Sequence, residues 1–320
     1  MSSALLLRGR DVLSAALHAL RPHPGRRGTS LQLVLVTGSL VAVSVPLAAY
    51  AYKSYQAFLA IGRGGVPYNF FGWLGQSTLH LIARRDTQRP VPGPFGSIDD
   101  LAALYSPAAG RSYLGPGVVE EGRLARRGGP RPDIPRFVAP QRQTSDVATP
   151  AVLERQARYV AAVAAANPDL FELRTSQLEG PPHQALWLRL PSATAATAAG
   201  GPPPQENKDE RQKTQERERE LGVRLGRGTK GEFAHVHGEG STHATLCPRD
   251  AAALIDAGWA ERHGLSGVGG PTRAMAPWGY VMLYAPRDDA EFRLWREALL
   301  AAARYVAEGS GVVVVAPPVE

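Results

Sequence analysis

The sequence predicts an α+β protein in which a small antiparallel sheet packs against helices, preceded by one N-terminal transmembrane helix. Three observations predict this class. Residues 28–52 contain no charged side chain. In the second half of the chain, short segments that alternate like strands follow one another, and segments with helical periodicity separate them. With 320 residues, the chain is long enough for one sizeable domain with appended segments.

The uncharged run has the length of a membrane-spanning helix. Its core, residues 31–52, would extend about 33 Å as a helix, enough to cross the hydrocarbon core of a bilayer. A buried core helix is the alternative. The arginines of the basic segment 1–30 favour a cytoplasmic N terminus, while its leucine stripe is also compatible with a mitochondrial presequence. We therefore expect a single-pass membrane protein of the endomembrane system, with a mitochondrial membrane as the alternative.

Residues 53–149 are expected to connect this helix to the folded domain. Aromatic residues such as Phe58, Phe70 and Trp73 indicate a partly helical, membrane-proximal beginning. The remainder is rich in Pro, Gly and Arg and has no periodic apolar stripe. We expect an extended connection that wraps the following domain or stays loose.

Residues 150–310 are predicted to form the folded domain. Its first helix should begin at Thr149 and Pro150, because a threonine cap followed by proline marks a helix start. A capping-box pattern and apolar residues at helical spacing predict a last helix over 288–308, and 311–320 form a C-terminal tail. Strands are expected at 170–175, 185–190, 232–237, 242–246 and 278–285.

A low-complexity insertion, residues 191–229, interrupts this domain. It begins with a stretch rich in Ala, Thr, Gly and Pro, and continues as mixed acids and bases without an apolar stripe. This composition is typical of a solvated loop or a frayed helix. We therefore expect the insertion to be dispensable for folding.

Composition also narrows the function classes. The net charge of +7 comes almost entirely from arginines that are scattered without interleaved aromatic residues, which disfavours nucleic acid as a partner. The single cysteine, Cys247, excludes an intrachain disulfide and a cysteine-based metal site. We expect two partners, a small-molecule substrate and the membrane.

Three histidines form the candidate site. His235 and His237 share one face of a predicted strand, because side chains alternate along a strand. The turn decides where His243 points: a loop over 238–242 places it opposite His237 on the same face, whereas a loop over 238–241 turns it away. Three imidazoles on one face can bind a divalent metal or share acid–base work, whereas any single one is more often an ordinary buried polar residue.

Further polar groups lie near the ends of predicted strands downstream. His263 follows one of them, and Tyr284 ends another. Arg287 is placed to hold an anionic substrate, or it pairs with the aspartates that follow it.

Several segments resemble the luciferase domain of fungal luciferases. They read EFAHVHGEGSTHATL, IDAGWAERHGLSG and LYAPRDDAEF, in this order. The upstream stretch YQAFLAIGRGGVPYNFFGWL is similar to the segment after the membrane anchor of those luciferases. The resemblance covers residues 50–85 and 150–310.

The resemblance implies a membrane-associated oxidoreductase that uses O2 as co-substrate to oxidise an α-pyrone, 3-hydroxyhispidin. Decarboxylation then leaves an excited product that emits light, and no organic cofactor is needed. The insertion at 191–229, and the lack of a further histidine in the HVHGEGSTH turn, depart from the luminous pattern and argue against light emission. The candidate catalytic residues that the resemblance carries over are His235, His237, His243, His263, Tyr284 and Arg287.

We therefore expect a monooxygenase-like enzyme that oxidises a small phenolic or α-pyrone-type substrate with O2. A histidine would remove the enol proton, and Tyr284 or Arg287 would hold the resulting anion. Two alternatives stay open. One is a metal-dependent enzyme that uses the three histidines of the hairpin, and the other is a non-catalytic, membrane-tethered protein that binds a small molecule.

Overall fold

The computed structural model describes residues 29–105, 107–116, 118–120, 123–189, 208–270 and 274–318. The chain divides into two compact units, with the boundary between Ala60 and Ile61. Residues 1–28, which include most of the predicted basic segment, lie outside the described residues.

The described part of the first unit is helix α1 (Thr29–Ile61), which contains the predicted span 31–52. The prediction of a helix there is confirmed. Within the part of the chain that the structure describes, however, no helix combines the length and the apolarity needed to cross a membrane.

The second unit contains a six-stranded antiparallel sheet with helices, which confirms the predicted α+β class. Its strands are β3 (Phe171–Thr175), β4 (Gln184–Leu188), β5 (Glu232–Val236), β6 (Thr242–Thr245), β7 (Ala260–Arg262) and β8 (Tyr280–Leu283). Their spatial order is β3-β4-β5-β6-β8-β7, and every neighbouring pair is antiparallel. A separate two-stranded ribbon of β1 (Val119–Glu120) and β2 (Arg123–Leu124) precedes them.

The second unit also contains helices. They are α2 (Phe70–Leu79), α3 (Ile98–Ala102), α4 (Pro150–Ala166), α5 (Lys208–Leu225), α6 (Pro248–Asp256) and α7 (Asp289–Val306), with a 3-10 turn at Pro107–Gly110.

The two long helices that cover the sheet begin where the sequence predicts. Thr149 caps α4 by accepting a hydrogen bond from the N–H of Val152, and Asp288 caps α7 by accepting one from Glu291. The predicted capping box at α7 is only half formed. The carboxylate of Glu291 binds the backbone and guanidinium of Arg287 instead of the cap N–H, because a neighbouring arginine is the stronger partner.

Strand alternation separates the sheet into two faces. One face packs against α4 and α7, and Trp295 of α7 donates a hydrogen bond from its indole to Thr242 over 2.8 Å. Val281 and Leu283 are buried on this face. Residues one position out of phase with them, such as Met282, therefore point to the opposite face, where the candidate site lies.

The Pro/Gly/Arg-rich connection wraps the domain, which is one of the two outcomes expected from its composition. Gln141 donates a hydrogen bond to Glu261 over 2.9 Å, and Arg131 donates to the same carboxylate over 2.8 Å. The backbone N–H of Arg127 donates to the carbonyl of Ala257. Apolar side chains of the connection, including Leu101, Tyr105 and Tyr113, also lie in the hydrophobic core.

The C-terminal end of the insertion is packed, which corrects the expectation of a wholly solvated segment. Residues 190–207 lie outside the described residues, but α5 follows them. Its last turn buries Leu225, and the guanidinium of Arg224 donates to the carbonyl of Glu308 over 2.5 Å. The core contacts described for α5 lie near its C-terminal end, at Leu221, Val223 and Leu225, a stretch too short to give a helical stripe in the sequence.

Shortening a buried side chain of α7 tests the packing of this helix against the sheet. Leu299 is fully buried, so Leu299→Ala should reduce the free energy of unfolding by about 2–5 kcal/mol in urea titrations. Leu81 is 87% exposed, and Leu81→Ala should change the free energy of unfolding by less than about 0.5 kcal/mol. Equal effects of the two substitutions would contradict this packing.

Two deletions test whether only the C-terminal part of the insertion, residues 208–229, contributes to stability. Replacing residues 191–207 by a short Gly/Ser linker should leave Tm nearly unchanged, because that stretch has no apolar stripe. Replacing residues 208–229 should lower Tm, because the buried Leu225 and Arg224 are lost with it. Differential scanning calorimetry compares the two, and a larger decrease from the first deletion would refute the assignment.

Candidate functional site: a buried histidine cluster

The hairpin of β5 and β6 places three histidines on one face of the sheet. His235 pairs directly with His243, and the N–H of His237 donates to the carbonyl of Ser241 over 2.8 Å. The connecting loop therefore consists of residues 238–240, and both loop lengths considered from the sequence are wrong. The observed register differs by two residues from the one that pairs His237 with His243, and a shift of two keeps every side chain on its face. The predicted shared face is confirmed.

Glycine is needed in this turn. Gly240 has a φ of +96°, which L side chains rarely adopt, and an added Cβ would lie 2.4 Å from the Cβ of Ala148. The carbonyl of Gly240 accepts a hydrogen bond from Gln156 of α4 over 2.9 Å. Contact with α4 therefore fixes the turn, and with it the register of the histidines.

The three imidazoles lie against one another. The ring centroids of His235 and His237 are 5.1 Å apart, and that of His243 lies 5.3 and 4.8 Å from them, respectively. One ring nitrogen of each lies within 4.8 Å of the other two. Each of the three residues is at most 3% exposed, so water has little access to the rings.

A fourth histidine and a tyrosine extend this group, which we call the histidine cluster: His235, His237, His243 and His263. The ring centroid of His263, just after β7, lies 5.2 Å from that of His243. Tyr280 stacks on His243 with centroids 4.9 Å apart and rings 6° from parallel. Tyr280 was not among the residues predicted from the sequence.

A β-bulge brings Glu232 to the same face. The pairing of β4 with β5 shifts register between Leu186 and Trp187, so that Trp187 pairs with Glu232 and Ala185 with His235. Ala185 and Trp187 share a face, and hence so do Glu232 and His235, although they are three residues apart. Regular alternation in the sequence would place Glu232 on the other side.

Glu232 orients His235. Its carboxylate lies 2.6 Å from Nδ1 of His235 and accepts hydrogen bonds from the hydroxyl of Ser176 and the backbone N–H of Gln177, each over 2.7 Å. A carboxylate that accepts from Nδ1–H fixes the tautomer of the ring. The lone pair of Nε2 is then directed into the cluster.

His237 is oriented in the same way through a hydroxyl. Its Nδ1 lies 2.8 Å from Oγ of Ser241, which in turn donates to Glu239. The Nδ1 of His237 therefore donates its proton to Ser241, and Nε2 is again the nitrogen that points into the cluster.

A carboxylate from another part of the chain faces both of these nitrogens. Glu179 lies in the connection between β3 and β4, and its Oε1 is 3.5 Å from Nε2 of His237 and 3.9 Å from Nε2 of His235. Its other oxygen forms an ion pair with Arg142, and the Glu179 side chain is only 5% exposed. Sequence reasoning missed Glu179, because only the topology of the sheet brings this loop beside β5.

Electrostatics give the cluster an uneven distribution of protons. Burial alone would lower the pKa of His237, but Glu179 and Glu239 on its two sides raise it to about 9. Burial would likewise raise the pKa of Glu179, but His237 and Arg142 lower it to about 2. At 3.5 Å, His237 and Glu179 form an ion pair rather than a well-formed hydrogen bond.

His243 and His263 are neutral. Burial and the nearby charge of His237 lower the pKa of His243 well below its usual value. Burial lowers the pKa of His263 to about 4, and its Nδ1 accepts a hydrogen bond from the N–H of Leu265. The cluster thus combines one cationic ring with at least two neutral rings that can accept a proton.

Among the residues that the structure describes, three nitrogens of the cluster are buried without a hydrogen-bond partner: Nε2 of His235, Nε2 of His237 and Nδ1 of His243. Buried polar atoms are nearly always paired, so three such atoms in one place are unusual. They mark the centre of the site.

Two predicted site residues do not join the cluster. The hydroxyl of Tyr284 donates to Glu261 over 3.3 Å, and the guanidinium of Arg127 lies over its ring. Arg287 donates to Glu291 and to the carbonyl of Gly128. Arg287 therefore has an ion-pair partner, as the alternative interpretation expected, although the partner is Glu291 rather than an adjacent aspartate.

Comparison with known protein families finds one matching domain that includes the histidine cluster. A family model described as Luciferase domain matches residues 230–303, which contain all four histidines of the cluster but neither Glu179 nor Arg142. No solved structure matches the chain.

Fungal relatives match most of the chain. A protein named Luciferase from Armillaria gallica is 26% identical over 282 residues, which cover 87% of this chain and 90% of the relative. Luciferase from Armillaria ostoyae is 26% identical, over 86% of this chain and 89% of the relative. Luciferase from Neonothopanus nambi is 25% identical, over 83% of this chain and 84% of the relative. The chain is therefore similar to fungal luciferases over most of its length, and its luciferase domain, residues 230–303, contains the histidine cluster.

Proposed function

We propose that the histidine cluster catalyses the oxidation of a small enolic substrate, of the phenol or α-pyrone type, by O2. The observation that carries this proposal is the convergence of four histidines on one face of the sheet, within the segment that matches the luciferase domain. The name Luciferase of the relatives supports an oxidation, since light emission requires an energy-rich oxidised intermediate.

The reaction begins with removal of a proton. The enol hydroxyl gives its proton to a neutral imidazole, and the resulting enolate is electron-rich enough to react with O2. A carbon–oxygen bond forms between the enolate carbon and O2, and the distal oxygen takes up the proton. The product is a hydroperoxide: O2 gains two electrons, the substrate loses two, and no further reductant is consumed.

Residues of the cluster divide this work. His263 is neutral and, at 9% exposure, the most accessible of the four histidines. It accepts the enol proton at Nδ1, in exchange for the hydrogen bond that this nitrogen receives from the N–H of Leu265. The positive charge of His237 stabilises the enolate and the peroxide that follows. Tyr280 stacks on His243 and holds its ring within the cluster.

We also propose that α1 attaches this enzyme to a membrane. Apolar side chains along α1 are exposed, including Leu40 at 64%, Leu47 at 63% and Tyr50 at 71%. Contiguous exposed apolar surface of this kind is typical of a membrane or protein contact. A membrane location would suit a poorly soluble aromatic substrate.

Oxygen uptake tests the proposed reaction. Purified full-length protein, supplied with a hydroxylated α-pyrone, should consume O2 and substrate in a ratio of 1:1 at an oxygen electrode, with photon counting in parallel. His263→Gln should reduce the rate about 10²- to 10⁴-fold, because general-base catalysis contributes that much. His80→Gln, at an exposed position after α2, is the control and should retain the rate.

Two results would contradict the proposal. One is a folded wild-type protein that consumes no O2 with any enolic α-pyrone or phenol. The other is His263→Gln turning over at the rate of the control, which would place the base elsewhere.

Membrane attachment is tested by fractionation. Full-length protein should remain in the membrane pellet after alkaline carbonate extraction, whereas a variant that begins at residue 61 should be released. Release of the full-length protein into the soluble fraction would refute anchoring by α1.

A further inference from the structure

We infer that His235, His237, His243 and Glu179 bind one divalent first-row transition metal ion. This inference deepens the function proposed above and rests on it for the role of the ion, although ion binding is measured independently. Sequence reasoning left a three-histidine metal site as an alternative without a fourth ligand, and Glu179 now supplies a fourth donor.

Distances between the donor atoms fit a shared ion. Two ligands that each lie about 2.1 Å from a tetrahedral metal are about 3.4 Å from each other. Oε1 of Glu179 is 3.5 Å from Nε2 of His237 and 3.9 Å from Nε2 of His235. The ring nitrogens of the three histidines lie within 4.8 Å of one another, farther apart than the ligands of a tetrahedral ion, so an ion would have to draw them together through side-chain rotation.

The unpaired nitrogens point to a ligand that is small and electron-poor. Nε2 of His235, Nε2 of His237 and Nδ1 of His243 are buried without a hydrogen-bond partner among the described residues. A buried polar nitrogen without a partner is unfavourable. Two of the three, Nε2 of His235 and Nε2 of His237, face the carboxylate of Glu179, and in the neutral rings their lone pairs would be repelled by it. One cation would satisfy all four groups at once.

The surroundings prepare the ligands for a metal. Glu232 accepts from Nδ1 of His235, and Ser241 accepts from Nδ1 of His237, so that each ring presents its Nε2 lone pair. Metal-binding histidines are commonly oriented by such partners. Arg142 holds the second oxygen of Glu179, which leaves the first oxygen for the ion.

The donor set selects the class of ion. Three imidazoles, which bind metals in their neutral form, and one carboxylate favour Fe²⁺, Co²⁺, Zn²⁺ or another borderline ion over Ca²⁺ and Mg²⁺, which prefer oxygen ligands. Cys247, the sole cysteine, donates to the carbonyl of Arg111 over 3.3 Å and is not one of these donors. In the proposed reaction, the ion would replace the proton on His237 and supply its positive charge. It would bind the enol oxygen and favour its deprotonation as a Lewis acid.

Metal analysis of the full-length protein, purified without a polyhistidine tag, tests the inference. Plasma mass spectrometry should find about one equivalent of a transition metal per chain. After chelation, Co²⁺ should restore one equivalent and produce visible d–d absorption, and Zn²⁺ should raise Tm. The variant His235→Ala/Glu179→Gln should bind Co²⁺ at least about 100-fold more weakly. The matched control His80→Ala/Glu172→Gln, outside the cluster, should bind like wild type.

Specific outcomes overturn the inference. A wild-type protein with less than about 0.1 equivalent of metal and no Co²⁺ spectrum would do so, as would equal binding by the two double variants. If His235→Ala/Glu179→Gln fails to fold, the single variant Glu179→Gln is titrated with Co²⁺ instead, and wild-type affinity there counts against the site.

Oxygen uptake separates this inference from the proposed function. If the protein binds stoichiometric metal but takes up no O2, the ion site is supported and the proposed oxidation of an enolic substrate is refuted. Full O2 uptake by the chelated, metal-free protein refutes the role of the ion and retains the function.

Discussion

The structure of the site depends on a single oxygen of Glu179 that faces two imidazole nitrogens. Nε2 of His237 and Nε2 of His235 lie 3.5 and 3.9 Å from it, in a region where the side chains are at most 5% exposed. Neutral rings and a carboxylate repel one another there unless a positive charge lies between them. A proton on His237 is one solution, and Glu179 and Glu239 favour it by raising the pKa of that residue. A metal ion is the other solution.

Several parts of the fold serve this arrangement. The turn at Gly240 fixes the hairpin register through α4, and the bulge in β5 brings Glu232 beside His235. Arg142, from the wrapping connection, holds Glu179 in place. Glu179 and Arg142 lie outside residues 230–303, so the site extends beyond the segment that matches the luciferase domain.

Local patterns in the sequence predict much of this fold, but not the complete site. Strand alternation predicts the shared face of His235 and His237, and cap residues predict the starts of α4 and α7. The exact turn could not be predicted, because three- and five-residue loops preserve the same face. Glu179 and Tyr280 reach the cluster only through the order of strands in the sheet, which no local pattern specifies.

Anomalous diffraction from crystals of the full-length protein, recorded at the absorption edge of the metal identified by mass spectrometry, tests the central claim most directly. The account predicts one anomalous peak, about 2.0–2.2 Å from nitrogens of His235, His237 and His243 and from an oxygen of Glu179. A map without such a peak, in which Nε2 of His237 donates directly to Glu179 at hydrogen-bond distance, would contradict it.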